Sequence, residues 1–213
     1  ELAAEQAFDE IIHFAQISRN GLGYAKQAIS ADAKHFDELR EKLVKYEEIS
    51  DRIEYEIAAF LNGVSAGDIS EATSMKIKAM YKIIGELESL GDSGEAISRM
   101  LSRRNEHKKT FSAETIDNIN LMLEKVDSAY EVMIANLNAA HEGTLSSIAN
   151  AYSAEEQINV LRNELREAEI EALEDNDKNY QTSVYYIDII NELEHMGDFL
   201  INISQSLERA FVH

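Results

Sequence analysis

Two pairs of acidic residues, Glu88 with Asp92 and Glu194 with Asp198, share one spacing and one local context. Each pair is i to i+4, and at about 100° per residue its side chains lie about 40° apart on one helix face. Carboxylates so placed can converge on one cation. Glu47 and Asp51 have the same spacing, on a segment that could face Glu88 and Asp92 inside a bundle. Oxygen donors without thiolates suit hard or borderline cations such as Mg, Mn, Ca or Fe. Any Glu-rich helix contains such pairs, so spacing alone is weak; recurrence is stronger. Gly91 and Gly197 each precede the aspartate. A glycine inside a helix costs about 1 kcal/mol relative to alanine, so its reuse points to close approach by a neighbouring helix or a ligand.

The elements that must position these residues are helices. The chain has no proline, the residue that normally punctuates turns, and glycines or capping residues divide it into six segments. Their expected spans are 1–30, 33–62, 68–104, 112–141, 153–176 and 178–210. Two starts carry the pattern of a capping box, Asp68-Ile69-Ser70-Glu71 and Ser153-Ala154-Glu155-Glu156. Gly63, Gly67 and Gly143 are expected to close the preceding helices. In the sixth segment Val184, Ile187, Ile190, Leu193, Met196, Leu200, Ile203 and Leu207 recur at spacings of three and four, the apolar stripe of a bundle helix. Glu194 sits on the shoulder of that stripe, where like charges without a cation would be costly. Ile84, Leu87, Leu90, Ile97 and Leu101 repeat the frame in the third segment.

Laid over one another, residues 83–101 and 189–207 are identical at 10 of 19 positions, at an offset of 106. Helices two and five echo each other at an offset of 108, with Glu47, Glu48 and Asp51 matched to Glu155, Glu156 and Asn159. Three helices are therefore repeated once, with a two-residue slip in a connection. The expected fold is all-α, two tandem three-helix bundles related by a pseudo-twofold, with repeats at 1–107 and 108–213.

Composition narrows the function classes. Forty acidic against 20 basic residues leave a formal charge of −20, which disfavours nucleic acid and anionic lipid and favours cations. With no cysteine, disulfides and thiolate sites are excluded. No segment approaches the roughly 18 uninterrupted apolar residues of a membrane span. The chain opens at Glu1 without an initiator methionine or a basic, apolar leader, which suggests a piece of a longer chain. No phosphate loop, nucleophile elbow or dinucleotide fingerprint is present.

The segments LESLGD and LEHMGDFLINIS resemble the PhoU signature, roughly L-E-R-I-G-D-x-x-x-N-I, which occurs once in each three-helix repeat of that family. The resemblance implies a non-enzymatic role in phosphate homeostasis, either as a stand-alone repressor of phosphate-starvation signalling and uptake or as the cytoplasmic tail of a sodium/phosphate cotransporter. The tail-like second motif and the missing start favour the cotransporter tail. It also implies clusters of iron, manganese, magnesium or zinc held by E/D-x-x-x-D motifs. Carried over by position, it nominates Glu47, Asp51, Glu88, Asp92, Glu155, Glu194 and Asp198 as ligands. The implied partner is a membrane phosphate transporter, in cis or in trans, at the inner face of the cell membrane; a homodimer is compatible. The chain departs from the pattern at Asn159, which stands where an acid is expected, at Ala96 against Asn202, and at Ser89 and His195 in place of the motif arginine.

Two other classes make different demands. A ferritin-like di-metal enzyme would use the E-x-x-H pairs Glu10-His13 and Glu192-His195, which must then converge. A structural helical interaction module would show no specific metal stabilisation. His35, His107, His141 and His213 are expected to face solvent, and Tyr185 and Tyr186 to pack between helices.

Overall fold

The computed structural model describes residues 2–175 and 178–212. Glu1, Asn176 and His213, which fall within the sequence readings above, lie outside the described residues. Six helices follow in order: α1 (Leu2–Ser30), α2 (Ala33–Ser65), α3 (Glu71–Glu106), α4 (Ala113–Glu142), α5 (Ala149–Glu174) and α6 (Tyr180–Phe211). No strand occurs among the described residues.

Local chemistry explains most of the helix ends. Asp32, Ser70, Ser112 and Asn179 are N-caps, each accepting a backbone N–H three residues on, from His35, Thr73, Thr115 and Thr182. Gly143 closes α4 in the left-handed region at φ 75, where a residue without Cβ is unstrained. Both expected capping boxes are displaced. The cap of α3 is Ser70 rather than Asp68. Ser153 lies inside α5, which starts a turn earlier behind Ile148 and has no side-chain cap bond. Burial fixes that start, because Leu145, Ile148 and Ala151 all enter the core. Gly63 does not end α2 either; the helix runs through it to Ser65.

Consecutive helices pack on one another within each half, so among the described residues α2 packs against α1 and α3, and α5 against α4 and α6. The halves meet through α3 with α6 and α1 with α4. Both cross-pairs run antiparallel. Glu86 meets Asn202 while His107 meets Tyr185, and Phe8 stacks on His141 while Ser18 bonds Tyr130. This is the pseudo-twofold arrangement of two three-helix bundles. A continuous core runs through both halves, from Ile11 and Phe14 through Leu61, Leu87 and Ile97 to Val126, Ile158, Leu193 and Ile203.

The repeat also dictates how the outer helices seat. A Cβ at Gly91 would lie 2.7 Å from the Ser50 hydroxyl oxygen and 3.0 Å from the Ser50 Cβ. A Cβ at Gly197 would lie 3.1 Å from Ile158 Cδ1. The two motif glycines are thus places where α2 and α5 press onto α3 and α6. Ser50 and Ile158 are themselves 108 residues apart, the offset read from the sequence for these two helices.

Candidate metal centre between α2 and α3

The close seating of α2 on Gly91 brings the acidic face of each helix against the other. One oxygen each from Glu47, Asp51 and Asp92 lie within 4.8 Å of one another, and so do oxygens from Asp51, Glu54 and Glu88. Asp51 belongs to both groups. Five carboxylates therefore form one continuous cluster, three from α2 at positions i, i+4 and i+7 and two from α3 at i and i+4.

Their electrostatics are those of crowded like charges at the edge of a core. Burial, together with hydrogen bonds to Asp51 and Asp92, raises the Glu88 carboxyl from its ordinary 4.5 to about 8. Burial also raises Asp92, with Asp51 and Glu95 adding to the shift against a bond from Glu88 that lowers it. Glu47 is raised by burial and then by Asp51 and Asp92, and Glu54 by burial and then by Asp51 and Asp92. In the absence of a cation, burial and mutual repulsion favour the protonated form, most strongly at Glu88. Glu95 stands apart, since Arg40 and Arg99 approach it at 3.4 and 3.2 Å. The donor set is all carboxylate oxygen, which fits a hard cation and offers nothing to a soft one.

The second repeat assembles differently. Glu194 faces α5, as Glu88 faces α2, and its carboxyl is raised by burial and by Asp198 but lowered by Arg162 and His195. Glu155 is raised by burial and by Asp198, with a bond from Asn159 opposing. No group of three ligand-type side chains converges there among the described residues. Instead Arg162 places Nη1 3.9 Å from Glu194 Oε2 and donates from the same nitrogen to Asn191 Oδ1 at 3.2 Å. Of the seven nominated residues, the structure brings together Glu47, Asp51, Glu88 and Asp92, and leaves Glu155, Glu194 and Asp198 in a smaller, arginine-bearing group.

Glu54 and Arg162 were missed by the motif reading. The signal for both was at hand, because extending the offset of 108 by three residues past Asp51 and Asn159 pairs Glu54 with Arg162. Asn202, the motif asparagine, is a link between halves, donating Nδ2 to Glu86 Oε2 at 3.3 Å.

Among the described residues no histidine joins the α2–α3 cluster. Neither His13 nor His195 belongs to a three-ligand group among the described residues. His35 is exposed and paired with Asp32 at 2.8 Å, and His107 is exposed and bonded to Tyr185. His141, although exposed, is held by Asp9 at 2.9 Å and stacked on Phe8, so it serves the α1–α4 contact. Tyr186 is buried as expected, and Tyr185 is half-buried.

No protein-family model matches the sequence, and no curated protein is similar to it by sequence. Solved structures are similar throughout. PhoU from Pseudomonas aeruginosa superposes with a TM-score of 0.81 at 16% identity, over 97% of this chain and 96% of that one. The phosphate transport system regulatory protein PhoU from Streptococcus pneumoniae gives 0.79 at 18% identity, over 97% and 94%. A PhoU-like protein from Shewanella oneidensis gives 0.72 at 13% identity, over 97% and 95%. The chain has the PhoU fold over nearly its whole length.

Proposed function

We propose that this chain is a PhoU-like, metal-binding regulatory domain of phosphate transport, acting as the cytoplasmic tail of a sodium/phosphate cotransporter. The observation that carries the reading is the five-carboxylate cluster between α2 and α3, set in a fold shared with a phosphate transport system regulatory protein over 97% of the chain. Residues 1–107 and 108–213 are then two copies of one unit. No described helix is long and apolar enough to cross a membrane, which suits a domain that meets its transporter from the aqueous side.

In the first repeat Glu47, Asp51, Glu54, Glu88 and Asp92 would hold one or two hard cations, with Asp51 shared between the two groups of three. The metal would supply a fixed positive charge that locks α2 to α3. This chain's residues supply the rest: Gly91 lets the helices close, and Arg40 and Arg99 hold Glu95 out of the cluster. The proposed role is regulatory, and what supports it is the fold shared with a phosphate transport system regulatory protein.

The direct test removes the coding region for residues 1–213 in the native host and follows uptake of radiolabelled phosphate by phosphate-replete cells. Restraint by the domain predicts raised uptake, restored by the intact domain and not by a variant lacking the cluster. Unchanged uptake would overturn the regulatory assignment. Restoration by the domain only when it is joined to its upstream segment supports the tail; restoration by the free domain makes it a stand-alone regulator.

A further inference from the structure

We propose that Arg162 is a resident cation that replaces metal in the second repeat, so that this protein carries one metal cluster, in the first repeat alone. The inference rests on the reading of the α2–α3 cluster as a cation site and departs from the symmetry that the duplication implies. At equivalent positions the first repeat has five carboxylates, Glu47, Asp51, Glu54, Glu88 and Asp92, and the second has Glu155, Asn159, Arg162, Glu194 and Asp198. One acid has become a neutral amide, and another a guanidinium. A fixed positive charge beside Glu194 repels a metal ion and offsets part of the crowding that a metal would relieve.

The arginine is built into its place. Nη1 donates to Asn191 at 3.2 Å and reaches Glu194 at 3.9 Å, while Nε donates to Asn163 at 2.9 Å. Side chains of Arg162 and Glu194 are 25% and 13% exposed, so the pair is largely shielded from solvent. Its anchor is specific to this repeat, because the position equivalent to Asn191 is Gly85, with no side chain and open space around it. A metal-responsive α2–α3 half thus stands against an α5–α6 half whose compensation is permanent. Loss of metal would loosen only one side of the molecule.

The test is Mn(II) binding by equilibrium dialysis and elemental analysis, in buffer of matched ionic strength. The parent should bind Mn(II), and E88Q/D92N should weaken it at least tenfold. Adding N159D/R162E in that background should restore binding that a further E194Q removes. Tight binding that survives E88Q/D92N and is lost in E194Q overturns the proposal, as does N159D/R162E gaining nothing. If the parent binds no Mn(II), the reading of the first repeat falls, but the gain or its absence in N159D/R162E still decides the role of Arg162. Should N159D/R162E fail to fold by circular dichroism, a metal-free cycle serves. R162Q should lower the melting point and R162Q/E194Q recover most of the loss, whereas independent effects of the two changes overturn the proposal.

Discussion

Ser50 of α2 rests against the bare Cα of Gly91 on α3, so close that a methyl group there would meet the serine Cβ at 3.0 Å. Rotating the hydroxyl relieves the 2.7 Å contact to its oxygen but not the contact to Cβ, so α2 itself must move. The helices carry the two sides of the carboxylate cluster, and their separation sets whether the oxygens converge.

Gly91→Ala is therefore expected to destabilise the metal-free protein by about 1–3 kcal/mol, as overpacking does, despite alanine's better helix propensity. It should also abolish the stabilisation by Mn(II). Ser50→Gly in the same chain reopens the space, so the double variant should be less destabilised than the two singles added together. Denaturant melts of the four proteins measure the coupling. Additive losses would mean that the glycine is not needed for helix approach.

Metal linkage separates the two repeats. A cation that binds only the folded state at about a hundredfold over its Kd adds roughly 2.7 kcal/mol, a rise in Tm of about 5–11 °C for a chain of this size. Asp92→Asn should abolish the rise, and Asp198→Asn should leave it intact. With metal absent, Asp92→Asn should be neutral or stabilising, since it removes a charge that crowds Glu47 and Glu88. Sodium chloride at matched ionic strength controls for screening of the net charge and should act equally on parent and variants. Equal loss of the metal increment in Asp92→Asn and Asp198→Asn would contradict the asymmetry.

The raised Glu88 carboxyl makes the metal-free protein pH-sensitive. Its folded value near 8 lies above the ordinary 4.5, so the folded state holds a proton that the unfolded chain has released. The resulting stabilisation is fully present below about pH 4.5 and is lost as pH rises toward 8. Glu47, Glu54 and Asp92 are raised as well and act in the same sense. In chelator, Tm should fall from about pH 5 to about pH 8, with a shallower fall in Glu88→Gln. Because metal binds the deprotonated form, Mn(II) affinity should rise over the same window. A metal-free Tm that climbs with pH would refute this account of the cluster.

The helices and their pairing were legible because periodicity reports which face is buried, and Ile84, Leu87, Leu90, Ile97 and Leu101 all enter the core. The glycines were legible as close contacts, though not whether helix or ligand approached; the structure answers with Ser50 and Ile158. Helix starts were less legible, since Ser153 carries a capping pattern whose cost of displacement is small beside the burial of Ile148. Arg162 lay in plain view one turn beyond Asn159. Its bond to Asn191 depends on a side-chain direction across two helices, which no one-dimensional spacing supplies.

The contact between halves gives the last expectation. Tyr130 of α4 is fully buried, and its hydroxyl lies 2.7 Å from that of Ser18 on α1. Beside it Arg19 grips Asp127 with Nε at 2.9 Å and Nη2 at 3.1 Å, across partly exposed surface where such a pair is worth at most about 1 kcal/mol. The buried hydroxyl pair should matter more. Ser18→Ala leaves the tyrosine hydroxyl without its partner in an apolar setting, at a cost of about 1–3 kcal/mol, and Tyr130→Phe leaves the smaller serine hydroxyl alone. Removing both takes away the desolvated groups together, so the double variant should be more stable than the sum of the singles predicts. Arg19→Ala should cost less than Ser18→Ala, and its effect should shrink further in high salt. Chemical denaturation of these variants tests the ranking. A larger loss from Arg19→Ala, insensitive to salt, would place the strength of the α1–α4 contact in the ion pair rather than in the buried hydroxyls.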